Sequence, residues 1–190
     1  MIRVFVGSNT PYAEQEKVLA YSIRANTEAK VEVTFMRPGE NGLRPCGCTG
    51  FSNYRYCVPE LADHQGFAIY LDVDMIVMGD IRDLYVWKRA GKWAVLADGS
   101  NEVAVIDCTI RMPEKERIHT YPKQQLLHMT QPYQARAIPL EWNVEDRVTE
   151  NMKLLHFTDL NMQPWLGGKH QSPEALGVLQ AYQEKARHSA

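Results

Sequence analysis

The chain has 190 residues, 45% of them hydrophobic and 23% charged, with a formal net charge of -2. That composition supplies the core of one globular domain and gives no electrostatic reason to expect nucleic acid or an anionic membrane as the main partner. No apolar run approaches the roughly 20 residues of a membrane span, and Met1-Ile2-Arg3-Val4-Phe5-Val6 alternates like a strand rather than a signal peptide, so the expected location is cytoplasmic.

Residues 2–6 read as a first strand, followed by the turn Gly7-Ser8-Asn9-Thr10-Pro11 and a helix whose apolar face is Val18, Leu19 and Ile23. A second strand is predicted over 31–36, and 38–53, with four glycines and two prolines, is a loop. A short helix over 59–63 leads into an apolar strand over 66–71, and 76–78 continues extended. A helical turn follows at 81–88, then strands at 93–97 and 103–107, a helix at 122–129 and a strand at 153–157. Ser172-Pro173-Glu174 starts a C-terminal helix over 172–188, with a capping serine, proline at the first helical position and Leu176, Leu179, Tyr182 and Ala186 as its inner stripe. Strands alternating with helices predict an α/β fold with a mainly parallel central sheet in a single domain, residues 1–190.

Four cysteines do not form a disulfide framework in such a chain. Cys46-Gly47-Cys48 also lacks the two-residue spacing of paired zinc ligands, so free thiols and no bound zinc are expected. The turn after the first strand departs from Gly-x-Gly-x-x-Gly, which gives a dinucleotide site no support.

The chemistry concentrates at Asp72-Val73-Asp74, after the apolar run Phe67-Ala68-Ile69-Tyr70-Leu71. On an extended backbone two carboxylates at i and i+2 point to one side, and the ends of parallel strands are where such sheets bind ligands. Paired carboxylates that close call for a cation, and oxygen donors suit Mn²⁺ or Mg²⁺ shared with a substrate phosphate. Three further segments reach the same sheet edge. Tyr12, after the first turn, either stacks on a nucleobase or packs at a helix start. Arg55 either clamps a phosphate or base edge or is a solvated helix-entry residue. His156, after Leu154-Leu155, either completes a metal site or is a satisfied core histidine.

Tyr70 to Val77, Tyr-Leu-Asp-Val-Asp-Met-Ile-Val, followed by Gly79-Asp80-Ile81-Arg82-Asp83-Leu84-Tyr85, resembles the Asp-x-Asp block of family 8 glycosyltransferases, the group of glycogenin and the bacterial lipopolysaccharide galactosyltransferases. His156-Phe157-Thr158 with Pro164-Trp165 resembles that family's late His-(Phe/Tyr)-x-Gly-x-Lys-Pro-Trp segment, and Pro139-Leu140-Glu141-Trp142-Asn143 its Pro-x-x-Trp-Asn segment, in the family's order. The resemblance implies a GT-A (Rossmann-like) fold, a nucleotide-sugar donor that is usually UDP-linked, Mn²⁺ (or Mg²⁺), a carbohydrate or glycoconjugate acceptor and transfer with retention. It implies that Asp72 contacts ribose and metal, that Asp74 and His156 bind metal, that Ser8, Asn9 and Tyr12 hold the nucleotide, and that Arg55 reaches its base or phosphates.

The sequence also departs from the family. Asp159 and Gln163 stand where Gly and Lys are usual, so the lysine that steadies the leaving diphosphate is missing there, with Lys169 or His170 as replacement. The Asn-x-Gly segment is represented by Ser100-Asn101-Glu102-Val103 and the Asp-Gln-Asp segment by Lys123-Gln124-Gln125. Gln124 or Gln125 is the expected side chain facing the anomeric carbon, with Glu102 and Asp98 as rivals. The chain is short for the family. Its alternatives are a catalytically inactive nucleotide-sugar-binding protein and a nucleotidyltransferase, the latter lacking an evident basic cluster for a second phosphate.

Overall fold

The computed structural model describes residues 1–189. Strand β1 (Ile2–Gly7) leads through a 3-10 turn, Thr10–Tyr12, into α1 (Ala13–Ala25), whose buried face includes Val18, Leu19 and Ile23. Strand β2 (Val31–Met36) then returns beside β1 in parallel register. A 3-10 turn, Tyr54–Cys57, and α2 (Val58–Leu61) deliver the chain to β3 (Phe67–Asp72). After a turn come β4 (Met75–Val77), α3 (Ile81–Tyr85), β5 (Trp93–Leu96) and β6 (Ala104–Asp107). The remaining elements are α4 (Lys115–Ile118), α5 (Lys123–Thr130), β7 (Gln134–Ile138), β8 (Val144–Glu145), β9 (Leu154–His156) and α6 (Pro173–Arg187).

Six strands form the main sheet in the order β2-β1-β3-β6-β5-β7, and a small sheet has the order β4-β9-β8. In the main sheet β1 pairs in parallel with β2 and β3, as β5 does with β7, whereas β6 runs antiparallel to both β3 and β5. The apolar β3 run thus lies at the centre of the sheet with a parallel neighbour on one side only. The reversal is made between β5 and β6, where Gly99 has φ +94 and Asp98 Oδ1 accepts the Ser100 N–H at 2.8 Å. A left-handed glycine after an aspartate is a tight-turn signature.

Ile69, Tyr70 and Leu71 are fully buried. Ile69 and Leu71 each contribute about 1.5–3 kcal/mol by leaving water. Gly7 pairs with Asp72 across β1 and β3, and a Cβ there would collide with the Tyr70 hydroxyl and lie 2.9 Å from the Phe51 ring. The close approach of the two strand ends therefore depends on a residue without a side chain.

Ser172 caps α6 as expected, its Oγ accepting the Ala175 N–H at 3.1 Å. The inner stripe begins one residue earlier than expected: Ala175 and Leu179 are buried, whereas Leu176 is half-buried. Tyr182 packs edge to face with Tyr21 of α1 at 6.2 Å and its hydroxyl accepts from Asn26 Nδ2 at 3.1 Å. Strands β7 and β8 and helix α4 are elements beyond those read from the sequence. Among the described residues no helix is long and apolar enough to cross a membrane.

Candidate metal centre

The site forms where the end of β3 meets the small sheet. Strand β3 stops at Asp72, and Val73 and Asp74 make a turn into β4, with the Val73 N–H donating to Gly7 O at 3.1 Å. The two carboxylates thus converge across a turn, not along an extended strand as the i, i+2 spacing predicts. Strand β9 pairs antiparallel with β4, placing His156 opposite Met75, and the Phe157 N–H donates to Asp74 O at 2.9 Å. Sheet register therefore carries His156 to the Asp pair from 82 residues away. Ligand atoms of Asp72, Asp74 and His156 lie within 4.8 Å of one another, and all three residues are buried.

Each of the three is held by a named partner. Tyr70 Oη donates to Asp72 Oδ1 at 2.5 Å, and Arg55 Nη2 donates to Oδ1 and Oδ2 at 3.2 and 3.1 Å. Arg55 is itself fixed, since Nη1 donates to Asn101 Oδ1 at 2.7 Å and its guanidinium lies 5.0 Å from the Tyr70 ring centroid. Burial pushes the Asp72 carboxyl above its ordinary value, against the pull of Arg55. Burial raises the Tyr70 phenol as well, and Asp72 adds to the effect. Asp74 Oδ1 lies 3.2 Å from His156 Nε2, and Asp74 Oδ2 accepts from Gln163 Nε2 at 2.8 Å. At 4% exposure Asp74 is a buried, hydrogen-bonded group.

His156 Nδ1 lies 2.8 Å from Asn143 Oδ1. A carbonyl oxygen accepts, so Nδ1 carries the proton and Nε2 is the nitrogen turned toward Asp74. That is the arrangement a metal-ligating imidazole takes when an outer partner holds its other nitrogen. Burial is the largest influence and works against charge on the ring, but Asp74, joined by Asp72 and Glu102, raises the His156 value overall. Two carboxylates and one imidazole that converge in this way are a donor set for a hard or borderline divalent ion such as Mn²⁺ or Mg²⁺. The residues present therefore fit the cation that the sequence implies.

A cavity of about 270 Å³ opens on the triad and is walled by Arg55, Glu102, Lys123 and Glu145 as well as Cys48 and Thr158. Glu102 is the one rival carboxylate that reaches it. Asp98 is occupied in the β5–β6 turn, where it accepts from the Ser100 N–H and hydroxyl at 2.8 and 2.7 Å. Gln124 and Gln125 are exposed on α5 and are not part of the cavity wall, which corrects their expected position. Their neighbour Lys123 reaches the cavity because it starts the helix on the side facing Glu102.

The other expected nucleotide residues are placed as follows. Ser8 is fully buried and its Oγ donates to Glu16 Oε1 at 2.6 Å, within a network that Arg37 completes through Glu16. Asn9 is half-buried, capping the first 3-10 turn and donating to Thr49 O at 3.3 Å. Tyr12 is 4% exposed, edge to face with Phe51 at 5.6 Å and with Trp165 at 6.3 Å. Burial, then Asp74 and Asp72, push its phenol up to about 12. Of the two residues offered in place of the missing lysine, Lys169 is exposed and outside the cavity wall. His170 is turned inward, 3.3 Å from Asp146 Oδ1 and with its ring 5.1 Å from that of Phe157. Of the cysteines, Cys48 is exposed and Cys46, Cys57 and Cys108 are buried free thiols.

Tyr70, Asn101, Asn143 and Gln163 are site residues that the sequence reading did not assign a role. Tyr70 carried a signal: two residues before Asp72 on a strand, it shares that face. Asn143 lay within the Pro-x-x-Trp-Asn segment without a function. Gln163, standing where lysine is usual, reaches Asp74 instead.

No family model matches the sequence, and no curated protein matches it. Solved structures do. The glycosyltransferase GlyE of Streptococcus pneumoniae TIGR4 is similar with a TM-score of 0.71 and 14% identity, over 96% of this chain and 61% of that one. The chain thus spans about 61% of GlyE's length. The galactosyltransferase LgtC, solved with donor and acceptor sugar analogs, has a TM-score of 0.66 and 12% identity over 98% of this chain and 96% of that one. The bifunctional glycosyltransferase WbbM is similar with a TM-score of 0.60 and 12% identity over 83% of this chain and 46% of that one. At these identities the likeness establishes architecture, and the fold of this chain is that of the GT-A glycosyltransferases.

Proposed function

We propose that residues 1–190 work as a divalent-metal-dependent glycosyltransferase that moves a sugar from a nucleoside diphosphate donor to a carbohydrate or glycoconjugate acceptor. The observation that carries this reading is the convergence of Asp72, Asp74 and His156 within 4.8 Å on a GT-A scaffold. Asp72, Asp74 and His156 would hold the ion, Mn²⁺ being favoured by the mixed oxygen and nitrogen donors. When bound, a divalent ion there supplies neutralising charge for a departing diphosphate.

The protein's own residues organise that centre. Arg55 pulls against the burial that disfavours charge on Asp72, Gln163 fixes the rotamer of Asp74, and Asn143 fixes the His156 tautomer. Lys123, at the cavity wall, is the lysine placed to compensate diphosphate charge in this chain. A UDP-linked donor and retention of configuration are supported by the resemblance of the Asp-x-Asp and late histidine segments. A cytoplasmic setting is supported by four free thiols.

Incubating the protein with Mn²⁺ and a panel of nucleotide sugars tests the reading. Release of nucleoside diphosphate that stops on chelation is expected. Release of pyrophosphate would instead indicate nucleotidyl transfer, and binding without turnover an inactive binding protein; either result overturns the proposal.

A further inference from the structure

Four carboxylates reach the metal cavity, and three of them have hydrogen-bond donors within the protein. Asp72 accepts from Tyr70 and Arg55, Asp74 from Gln163 with His156 beside it, and Glu145 from Asn143 Nδ2 at 3.4 Å. Glu102 is different. Its Oε1 has Arg55 Nη1 at 3.6 Å and Lys123 Nζ at 3.9 Å, both beyond hydrogen-bond reach, and its Oε2 is buried with no partner among the described residues. Burial is the largest influence and works against its charge, but Arg55, its own backbone N–H, Lys123 and His156 together hold the carboxyl below its ordinary value. A buried carboxylate oxygen without a donor is costly unless a ligand supplies one.

The backbone at this point is fixed rather than adaptable. Asn101 accepts from Arg55 and donates from Nδ2 to the Tyr56 hydroxyl at 3.1 Å, so the residue before Glu102 is clamped from two sides. The Asp98–Ser100 turn then delivers Glu102 to the start of β6, beside the end of β3. Glu102 does not belong to the set of converging metal ligands, yet it shares their cavity. What lies next to a metal-bound diphosphate and carries several hydroxyl donors is the sugar it is linked to.

We propose that Glu102 is the residue that selects the transferred sugar, accepting hydrogen bonds from its ring hydroxyls while the triad holds the diphosphate end. This rests on the reading of the site as a nucleotide-sugar centre. The test uses UDP and UDP-linked glucose, galactose, N-acetylglucosamine and xylose, each with Mn²⁺, against wild type, Glu102→Gln and Glu102→Ala. Calorimetry gives the affinity of each donor relative to UDP alone, and UDP release gives kcat/KM.

Wild type should bind one donor more tightly than UDP. Glu102→Ala should lose that preference, with kcat/KM for the favoured donor falling about ten- to hundred-fold, the range for a hydrogen bond to a charged acceptor. Glu102→Gln, with the same shape and one neutral acceptor oxygen, should fall between the two. UDP affinity with Mn²⁺ should stay within about threefold in both variants, which also reports an intact fold. Unchanged donor preference in both variants would overturn the inference alone. A parallel loss of UDP affinity would overturn it too, by showing that Glu102 acts through Arg55 and the metal centre. Failure of the wild type to bind UDP or any donor with Mn²⁺ would instead overturn the nucleotide-sugar reading beneath it.

Discussion

Replacing Asp74 with Asn separates the metal role of this carboxylate from its structural one. Asp74 receives Gln163 Nε2 at 2.8 Å and faces His156 Nε2 at 3.2 Å. An asparagine amide can keep both contacts: its oxygen accepts from Gln163, and its N–H₂ donates to Nε2 of a neutral His156 whose proton stays on Nδ1, donated to Asn143 Oδ1. What is lost is the charge assistance, the difference between about 1.5–3 and 0.5–1.5 kcal/mol per bond, partly offset by removing one of two adjacent buried anions. The metal-free variant should therefore lie within about 2 kcal/mol of wild type.

Mn²⁺ binding should respond far more strongly, because the imidazole lone pair is now occupied and a charged ligand is gone. The drop should be at least 100-fold, above the roughly 10- to 100-fold seen for outer-shell changes. At a Mn²⁺ concentration 100 times the wild-type Kd, urea denaturation should show about 2.7 kcal/mol of metal stabilisation for wild type and about 0.4 kcal/mol or less for Asp74→Asn.

The pH dependence follows from the raised His156 value. In metal-free wild type the stabilisation from charged His156 is full below about 6.5, the unfolded value, and is lost as pH rises through the folded one. The variant lacks Asp74, the main group that raises it, and so shows a smaller decline. Equal metal stabilisation in the two proteins would refute the assignment of Asp74 as a ligand. A wild type as stable, metal-free, at pH 8 as at pH 6 relative to the variant would refute the account of His156.

Arg55→Met strands a buried carboxylate at Asp72 and should cost about 3–5 kcal/mol in chemical denaturation, a result below about 1 kcal/mol showing that Tyr70 alone suffices. Asn143→Ala should lower Mn²⁺ affinity about 10- to 100-fold by calorimetry, with Asn143→Asp recovering most of it, since a carboxylate oxygen also accepts from Nδ1. Tyr12→Ala should destabilise by about 3–5 kcal/mol because its ring packs against Phe51 and Trp165, while Tyr12→Phe stays close to wild type. Unchanged stability with weakened UDP binding in Tyr12→Ala would restore the base-stacking role read from the sequence.

The triad was legible because Asp72 and His156 each end an apolar strand and Asp74 lies two residues beyond Asp72, and such segments announce both a buried strand and the side on which it stops. The partners were harder to read. Gln163 approaches Asp74 across 89 residues and Asn143 approaches His156 across 13, and no local periodicity encodes which side chain meets which. Tyr12 was ambiguous for the same reason, its covering Trp165 lying far along the chain. Strand β7, Gln134-Ala135-Arg136-Ala137-Ile138, is a polar sheet-edge strand with one β-branched residue, so its pairing with β5 outweighs weak propensity. The antiparallel β5–β6 pair, by contrast, had a visible signal in Asp98-Gly99, a hairpin dipeptide between two apolar runs.

His156 belongs to the three-stranded sheet, whereas Asp72 terminates the six-stranded one. An ion shared by the two would act as a clasp between separately hydrogen-bonded units, so the free energy of its binding is also free energy against their parting. The small sheet pairs over only three residues of β4 and two of β8, which makes it the natural place for the protein to open locally. Amide exchange in β9 would then slow on addition of Mn²⁺ while exchange in β1 and β3 stays as it was, and the dwell time of the ion would be set by how often that clasp lets go.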